Sequence, residues 1–251
     1  MDLSAAMAPR PTSARERIIV ALDVSSEIEA RRVIGDLEGI AGAFKVGMHL
    51  FTAAGPNLVR DLTSSGHRIF LDLKFHDIPN TVAKAGIAAA ELGVWMFNVH
   101  AAGGGEMMSR CISEVSEYCE RNSSAKPLII GVTVLTSSND ETLSEIGIVG
   151  PPAKQVVRLA GLAAAAGLDG VVASPREVGM IRAAIKDPAF LTVTPGIRAT
   201  SATNDDQKRV TTIGEAFANG SDYVVIGRPI LEAADRGAAL KALIADAEAL
   251  Q

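Results

Sequence analysis

Apolar residues gather along the chain in short runs, and between the runs lie longer segments whose apolar positions recur at helical spacing. The first run, Ile18-Ile-Val-Ala-Leu-Asp23, shows no polar alternation, the signature of a strand buried on both faces, and it ends in an acid. Ser26, with Glu29 three residues later, makes a capping-box start for a helix to about residue 37. A second strand over residues 43–46 stops at Gly47, a helix runs through roughly residues 57–62, and a third strand opens at Arg68 after Gly66. An Ala-rich helix from Asn80 or Thr81 to Leu92 leads to a fourth strand over residues 94–100. The turn Gly103-Gly-Gly105 leads into a helix reaching about Arg121, and residues 128–134 make a fifth strand. After a polar loop, Pro152 opens a helix to Gly167, and residues 170–173 form a sixth strand. Ser174-Pro-Arg-Glu177 then supplies an N-cap, a first-turn proline and a capping-box acid. Residues 191–194 are a seventh strand, Thr212 and Glu215 cap another helix, residues 223–226 are an eighth strand, and Pro229 starts a last helix.

Eight strands alternating with eight helices, at a spacing of about thirty residues in a chain of 251, is the count of a TIM (β/α)8 barrel. The pattern predicts one α/β domain over residues 17–251, preceded by a loose N-terminal arm over residues 1–16 that has no apolar segment of the signal-peptide kind. A doubly wound open sheet is the second choice, and the first strand is not followed by the Gly-x-Gly-x-x-Gly turn that would support it.

One stretch breaks the apolar pattern of the strands: Arg68-Ile-Phe-Leu-Asp-Leu-Lys-Phe-His-Asp-Ile-Pro-Asn-Thr81. At period two, Phe70, Asp72 and Lys74 share one face, Leu71 and Leu73 the other, and Asp77 follows three residues on. An unpaired charge in a strand buried on both faces costs several kcal/mol, so the charges are either a structural Asp-Lys couple at the strand tip or a catalytic array. A barrel gives them a common place. Asp23 closes the first strand, Lys45 the second, and Asp72 and Lys74 the third, all at the C-terminal ends where barrel enzymes keep their chemistry. The signs alternate through Asp23, Lys45, Asp72, Lys74 and Asp77, so each ammonium is flanked by carboxylates that keep it protonated. Such a lysine suits proton delivery to a carbanion better than Schiff-base chemistry, which needs a neutral amine.

A second cluster falls after the seventh and eighth strands, where Thr194-Pro-Gly-Ile-Arg198 and Ile226-Gly-Arg-Pro229 stand. Barrels commonly grip a phosphate there, Gly227 permits close backbone approach, and Arg228 offers a fork-shaped donor. The polar segment of residues 199–208 is expected to close as a lid.

Net charge of -5 without a basic stripe argues against a nucleic-acid surface, and no apolar run reaches the roughly 20 residues of a membrane span. Cys111 and Cys119 sit eight positions apart in one predicted helix, about 12 Å along its axis, too far to pair. A reducing compartment, the cytoplasm, fits. His49, His67, His76 and His100 show no metal-ligand spacing on one helix face, and His76 reads as structural or solvent-facing.

Taken together, Ala21-Leu-Asp23, Phe44-Lys-Val46, Asp72-Leu-Lys-Phe-His-Asp-Ile-Pro-Asn-Thr81, Pro195-Gly-Ile-Arg198 and Ile226-Gly-Arg-Pro229 resemble the orotidine 5'-monophosphate decarboxylase family over about residues 17–235, with the motifs in the family's order. The Asp-x-Lys-x-x-Asp core alone is shared with sugar-phosphate relatives, whereas the full set is specific. The resemblance implies decarboxylation of orotidine 5'-monophosphate to uridine 5'-monophosphate in pyrimidine biosynthesis, without metal or organic cofactor. By the same resemblance Lys74 is the proton donor to the ring carbon, and Lys45, Asp72 and Asp77 complete a charged tetrad. The resemblance also implies a homodimer in which Asp77 and Thr81 reach into the partner's site. Asp23 and Lys45 are implied to touch the ribose hydroxyls, Thr136 the pyrimidine amide, and Arg198, Gln207, Gly227 and Arg228 the phosphate and ribose end.

Two alternatives stay open on sequence. A magnesium-dependent keto-sugar-phosphate decarboxylase or hexulose phosphate synthase would use the same barrel, but such relatives tend to carry an acid where Lys45 stands. A non-catalytic sensor of phosphate ligands would need the arginine end but has no use for five alternating charges at the other.

Overall fold

The structure is a computed structural model and describes residues 11–197 and 211–249. Parallel strands β1 (Ile18–Ala21), β2 (Ala43–Gly47), β3 (Ile69–Phe75), β4 (Met96–His100), β5 (Leu128–Val132), β6 (Gly170–Val172), β7 (Leu191–Pro195) and β8 (Tyr223–Ile226) close into a barrel in chain order. β8 returns to β1 with Val225 opposite Ile19, so no edge strand remains and the fold is a TIM barrel rather than an open sheet. The helices are α1 (Ala14–Arg17), α2 (Glu27–Asp36), α3 (Met48–Ser64), α4 (Pro79–Glu91), α5 (Gly105–Asn122), α6 (Asp140–Glu145), α7 (Pro152–Ala166), α8 (Val178–Ala184), α9 (Ile213–Ala218), α10 (Arg228–Leu231) and α11 (Arg236–Glu248). Among the described residues no helix is long and apolar enough to cross a membrane.

Alternation along the strands splits the core into two layers. Ile19 and Ala21, Ala43, Phe70, Met96, Ile130 and Val193 pack together inside the barrel. Their sequence neighbours Ile18 and Val20, Phe44, Ile69 and Leu71, Phe97 and Ile129 belong to the larger layer beneath the helices. Two residues on from the inner row stand Asp23 after Ala21, Lys45 after Ala43, Asp72 after Phe70 and Asn98 after Met96. The apolar plug therefore ends in a polar layer at the C-terminal mouth.

Several local expectations differ in the structure. The helix expected near residues 57–62 is the longer α3, in which Gly55 at φ 74° breaks the helix and Pro56 restarts it. Ser26 does cap α2 through the Glu29 N–H, but the Glu29 carboxylate reaches back to the Ser25 N–H at 3.1 Å instead of closing the box on Ser26. Glu177 accepts the Ser174 N–H at 3.1 Å and so closes a turn ahead of α8, which begins only at Val178. Pro229 belongs to the single-turn α10, and the last helix is α11, capped by Asp235 on the Ala238 N–H at 2.8 Å. The loop after β5 contains the short α6, capped by Asn139 on Thr142. The Thr212–Glu215 box is complete.

The last residues of the expected N-terminal arm are built into the barrel. Ser13 and Glu16 form a reciprocal capping box around α1, Ala14 is buried, and a Cβ on Gly42 would lie 2.2 Å from the Arg15 carbonyl oxygen. Arg17 donates to the carbonyls of Ser221 at 2.6 Å and Asp222 at 3.2 Å. Beside it Arg182 donates to the Gly220 carbonyl and to Thr192 Oγ1 and pairs with Asp222, whose carboxylate also accepts the Thr192 N–H at 2.7 Å. This network ties together the N-terminal ends of β7 and β8, the barrel face associated with stability.

Close packing at β6 gives a test. A Cβ on Gly170 would lie 2.2 Å from the carbonyl oxygen of its β7 partner Leu191. Gly170→Ala is expected to lose about 2 kcal/mol of stability by forcing the backbones apart. Gly161→Ala, on an exposed turn of α7 with nothing within 4 Å of the new methyl, is expected to gain about 1 kcal/mol from helix propensity. Urea unfolding followed by circular dichroism measures both.

Candidate active site

Lys45 enters the mouth from β2, where it is buried among the apolar residues that precede it. Its Nζ lies 3.1 Å from Asp23 Oδ1, just beyond the end of β1, and 3.3 Å from Asp72 Oδ2 on β3. The other oxygen of Asp72 meets Lys74 Nζ at 2.6 Å. Asp23, Lys45, Asp72 and Lys74 thus form a continuous array of alternating sign, with Asp72 shared between two ammonium groups. The Asp72 side chain is only 13% exposed and that of Lys45 11%, whereas Asp23 at 61% faces the open mouth.

Burial would raise the Asp72 pKa. The charges of Lys45 and Lys74 and hydrogen bonds from Lys74 and Asn98 outweigh it and hold the carboxyl below its ordinary value. Small residues keep the array accessible. A Cβ on Gly47 would stand 3.1 Å from Lys45 Nζ, and one on Gly227 would stand 3.3 Å from Asp23 Oδ2. Gly227, after β8, therefore belongs to the same wall as Asp23. Arg228 follows it and is exposed.

The strict alternation expected for β3 fails at Lys74. Its φ is 53°, in the left-handed region, a conformation that costs a residue with a side chain about 1–3 kcal/mol. The pairing with β4 runs Leu71 to Phe97 and then Phe75 to Val99, so residues 72–74 lie opposite the single residue Asn98. Asn98 is 1% exposed. Its Nδ2 donates to Asp72 Oδ1 at 2.7 Å, and its Oδ1 accepts the Lys74 backbone N–H at 2.7 Å. Asn98 lies outside the set that the charge pattern predicts. The available signal is a lone amide in the apolar run Met96-Phe-Asn-Val-His100, on the inner row of its strand.

The remaining predicted residues lie apart from the array. Asp77 is exposed, its Oδ1 accepts the Ile78 N–H at 2.7 Å, and it makes no ion pair among the described residues. Thr81, in the first turn of α4, is also exposed, as is Thr136 on the loop after β5. Arg198, Gln207 and the expected lid over residues 199–208 lie outside the described residues. His76 packs near His100 with ring centroids 5.4 Å apart. His100 is held below its ordinary pKa by burial first, then by the charges of His76 and Lys74, which favours its neutral form. Cys111 and Cys119 are unpaired, as their spacing predicts, and both are buried; burial pushes the Cys111 thiol up to about 12, which disfavours the reactive thiolate.

A closed (β/α)8 barrel with a buried carboxylate–ammonium array at its C-terminal mouth defines a barrel enzyme with a small-molecule site. A model of the Orotidine 5'-phosphate decarboxylase / HUMPS family matches residues 16–243, and the chain belongs to that family. It is 54% identical over 222 residues, 88% of this chain and 91% of the relative, to an orotidine 5'-phosphate decarboxylase of Syntrophotalea carbinolica. The identity to that of Syntrophomonas wolfei is 50%, across 94% of this chain and 99% of the relative. The crystal structure of orotidine 5'-phosphate decarboxylase from Lactobacillus acidophilus superposes with a TM-score of 0.81 at 37% identity, covering 95% of this chain and 99% of that one.

The shared carboxylate makes a stability prediction. Asp72→Asn leaves two ammonium groups facing each other and is expected to lose about 3 kcal/mol at neutral pH by urea unfolding, while Glu38→Gln, at an exposed position away from the array, stays within about 0.5 kcal/mol of the parent. Because the Asp72 pKa is depressed on folding, its stabilisation is present above the unfolded value of 3.8 and is lost as pH falls through the folded value. The substituted protein should lack that part of the acid-side decline.

Proposed function

We propose that the protein decarboxylates orotidine 5'-monophosphate to uridine 5'-monophosphate and carbon dioxide without a cofactor, in cytoplasmic de novo pyrimidine synthesis. The observation that carries this reading is the Asp23-Lys45-Asp72-Lys74 array, its members 2.6–3.3 Å apart, in a member of this family. In the proposed step the bond from the pyrimidine ring to the carboxylate breaks and leaves its electron pair on the ring carbon. The carbanion has no adjacent carbonyl to delocalise it, so a fixed cation at the developing charge is the main available source of stabilisation. Lys74 supplies that charge and then transfers a proton to the ring carbon; the neutral amine regains a proton from water. Asp72 pairs with the Lys74 ammonium beforehand and stands beside the departing carboxylate.

Asp23 and Lys45 are assigned to the ribose hydroxyls, Thr136 to the pyrimidine, and Gly227, Arg228, Arg198 and Gln207 to the phosphate end. The exposed rim positions of Asp77 and Thr81 support their assignment to a partner's site in a homodimer. The donor set weighs against a magnesium-dependent sugar-phosphate reaction, because Lys45 Nζ already stands between the carboxylates of Asp23 and Asp72.

The direct experiment follows the absorbance of orotidine 5'-monophosphate with purified protein in the presence of a chelator. Rapid loss of substrate is expected; no turnover, or turnover abolished by the chelator, overturns the reading. In the same assay Lys74→Ala is expected to retain the fold and lose at least about 10⁴-fold in kcat, since it removes both the cation and the proton donor. For the shared site, Lys74→Ala and Asp77→Ala, each with little activity alone, are mixed under conditions that exchange subunits. Activity should rise as hybrid dimers form with one intact site. Mixtures that stay as inactive as their components would rule out sharing through Asp77.

A further inference from the structure

Three residues of β3 face one residue of β4, and that residue is a buried amide. A bulge of this size leaves the ladder short of partners, and a buried backbone N–H without an acceptor is strongly disfavoured. The Asn98 side chain makes good the deficit, because its Oδ1 accepts the N–H of Lys74 at the point where the backbone turns left-handed. Its other end donates to the oxygen of Asp72 that also holds Lys74 Nζ. The amide has only one orientation that satisfies both neighbours: a backbone N–H can only donate, and a carboxylate can only accept. Asn98 therefore fixes the two ends of the Asp72–Lys74 unit from a neighbouring strand.

We infer that Asn98 is a positioning residue for the decarboxylation: it sets the orientation of the Asp72 carboxylate and the turn that aims Lys74, without itself touching substrate. This rests on the proposed function and adds a residue to it. The geometry divides the role in two. The acceptor half supports the bulge, and the donor half orients Asp72. Asn98→Asp separates them, since the replacement keeps an acceptor for the Lys74 N–H but sets a carboxylate against Asp72. The titratable groups around that pair are Asp72 and Lys74 on β3, Lys45 on β2 and His100 on β4.

The parent and Asn98→Asp proteins are compared by kcat and KM for orotidine 5'-monophosphate, by inhibition with uridine 5'-monophosphate, and by thermal unfolding. The expected result at neutral pH is a loss of about a hundredfold in kcat, the scale of a small misplacement of reacting groups, with KM and product inhibition within about threefold. As pH falls, the two facing carboxyls take up one shared proton, a donor returns between them, and the ratio to the parent kcat narrows. A parent-like kcat overturns the inference. So does a pH-independent ratio, or a loss shared equally by kcat, product binding and Tm, which marks general structural damage. If Asn98→Asp does not fold, Asn98→Ser, too short to reach both neighbours, takes its place, with a kcat-specific loss supporting the inference and a parallel loss overturning it. Parent protein without turnover would instead sink the proposed function itself, so the two failures are distinguishable.

Discussion

The site depends on one carboxylate shared by two ammonium groups. Two unit charges 4 Å apart at an effective dielectric of about 20 attract by about 4 kcal/mol, and Asp72 makes two such contacts at 2.6 and 3.3 Å. Burial opposes both, yet the carboxyl remains more acidic than in water. That balance explains why the strands beneath are so uniformly apolar. A packed plug of Ile19, Ala43, Phe70 and Met96 excludes water from below, so the charges above it have one another, the Asn98 amide and the open mouth as partners. The mouth is where Asp23 lies largely exposed and where an incoming group can reach the array.

The same balance accounts for the irregular backbone of β3. A regular strand would place Asp72 and Lys74 on one face two residues apart, with side chains standing parallel. The extra residues opposite Asn98 and the left-handed turn at Lys74 change that geometry and leave its Nζ 2.6 Å from the carboxylate. Strain of this kind persists only where the surroundings over-determine it. Here they are the two hydrogen bonds of Asn98 and the ion pair itself.

Much of the fold was legible in the sequence because parallel barrel strands are buried on both faces and so stand out as unbroken apolar runs; residues 223–226 match β8 end for end. Helix ends marked by reciprocal caps, such as Thr212 with Glu215, were legible for a similar local reason. Most one- and two-turn elements were not. α1, α6 and α10 are too short to show a periodic stripe, and a proline such as Pro229 opens a short turn as readily as a long helix. At the site, Asp23, Lys45, Asp72 and Lys74 were legible because charge in an apolar strand needs a partner. Asn98 was not, since an amide carries no charge and its value comes from the register of β3 against β4. The Arg182–Asp222–Thr192 network escaped notice because its members, separated in sequence, meet only when the barrel closes.

The two ends of the barrel divide their work, and the division bears on why Asp77 stands where it does. At the N-terminal face, Arg182 donates to backbone carbonyls and to the Thr192 hydroxyl, and Asp222 accepts from Arg182 and the Thr192 N–H, so the pair fastens β7 to β8 with little left to offer a ligand. At the C-terminal face, two lysines meet two carboxylates, and Lys74 contacts only one of them. An ammonium group has three donors, and Asp72 takes one of those on Lys74. The next acid along the chain, Asp77, turns its carboxylate to its neighbour's backbone N–H on the exposed rim. Among the described residues Lys74 therefore keeps ammonium donors that no carboxylate takes up. That is the condition under which a second carboxylate from outside, whether a partner's or a substrate's, gains most by approaching it.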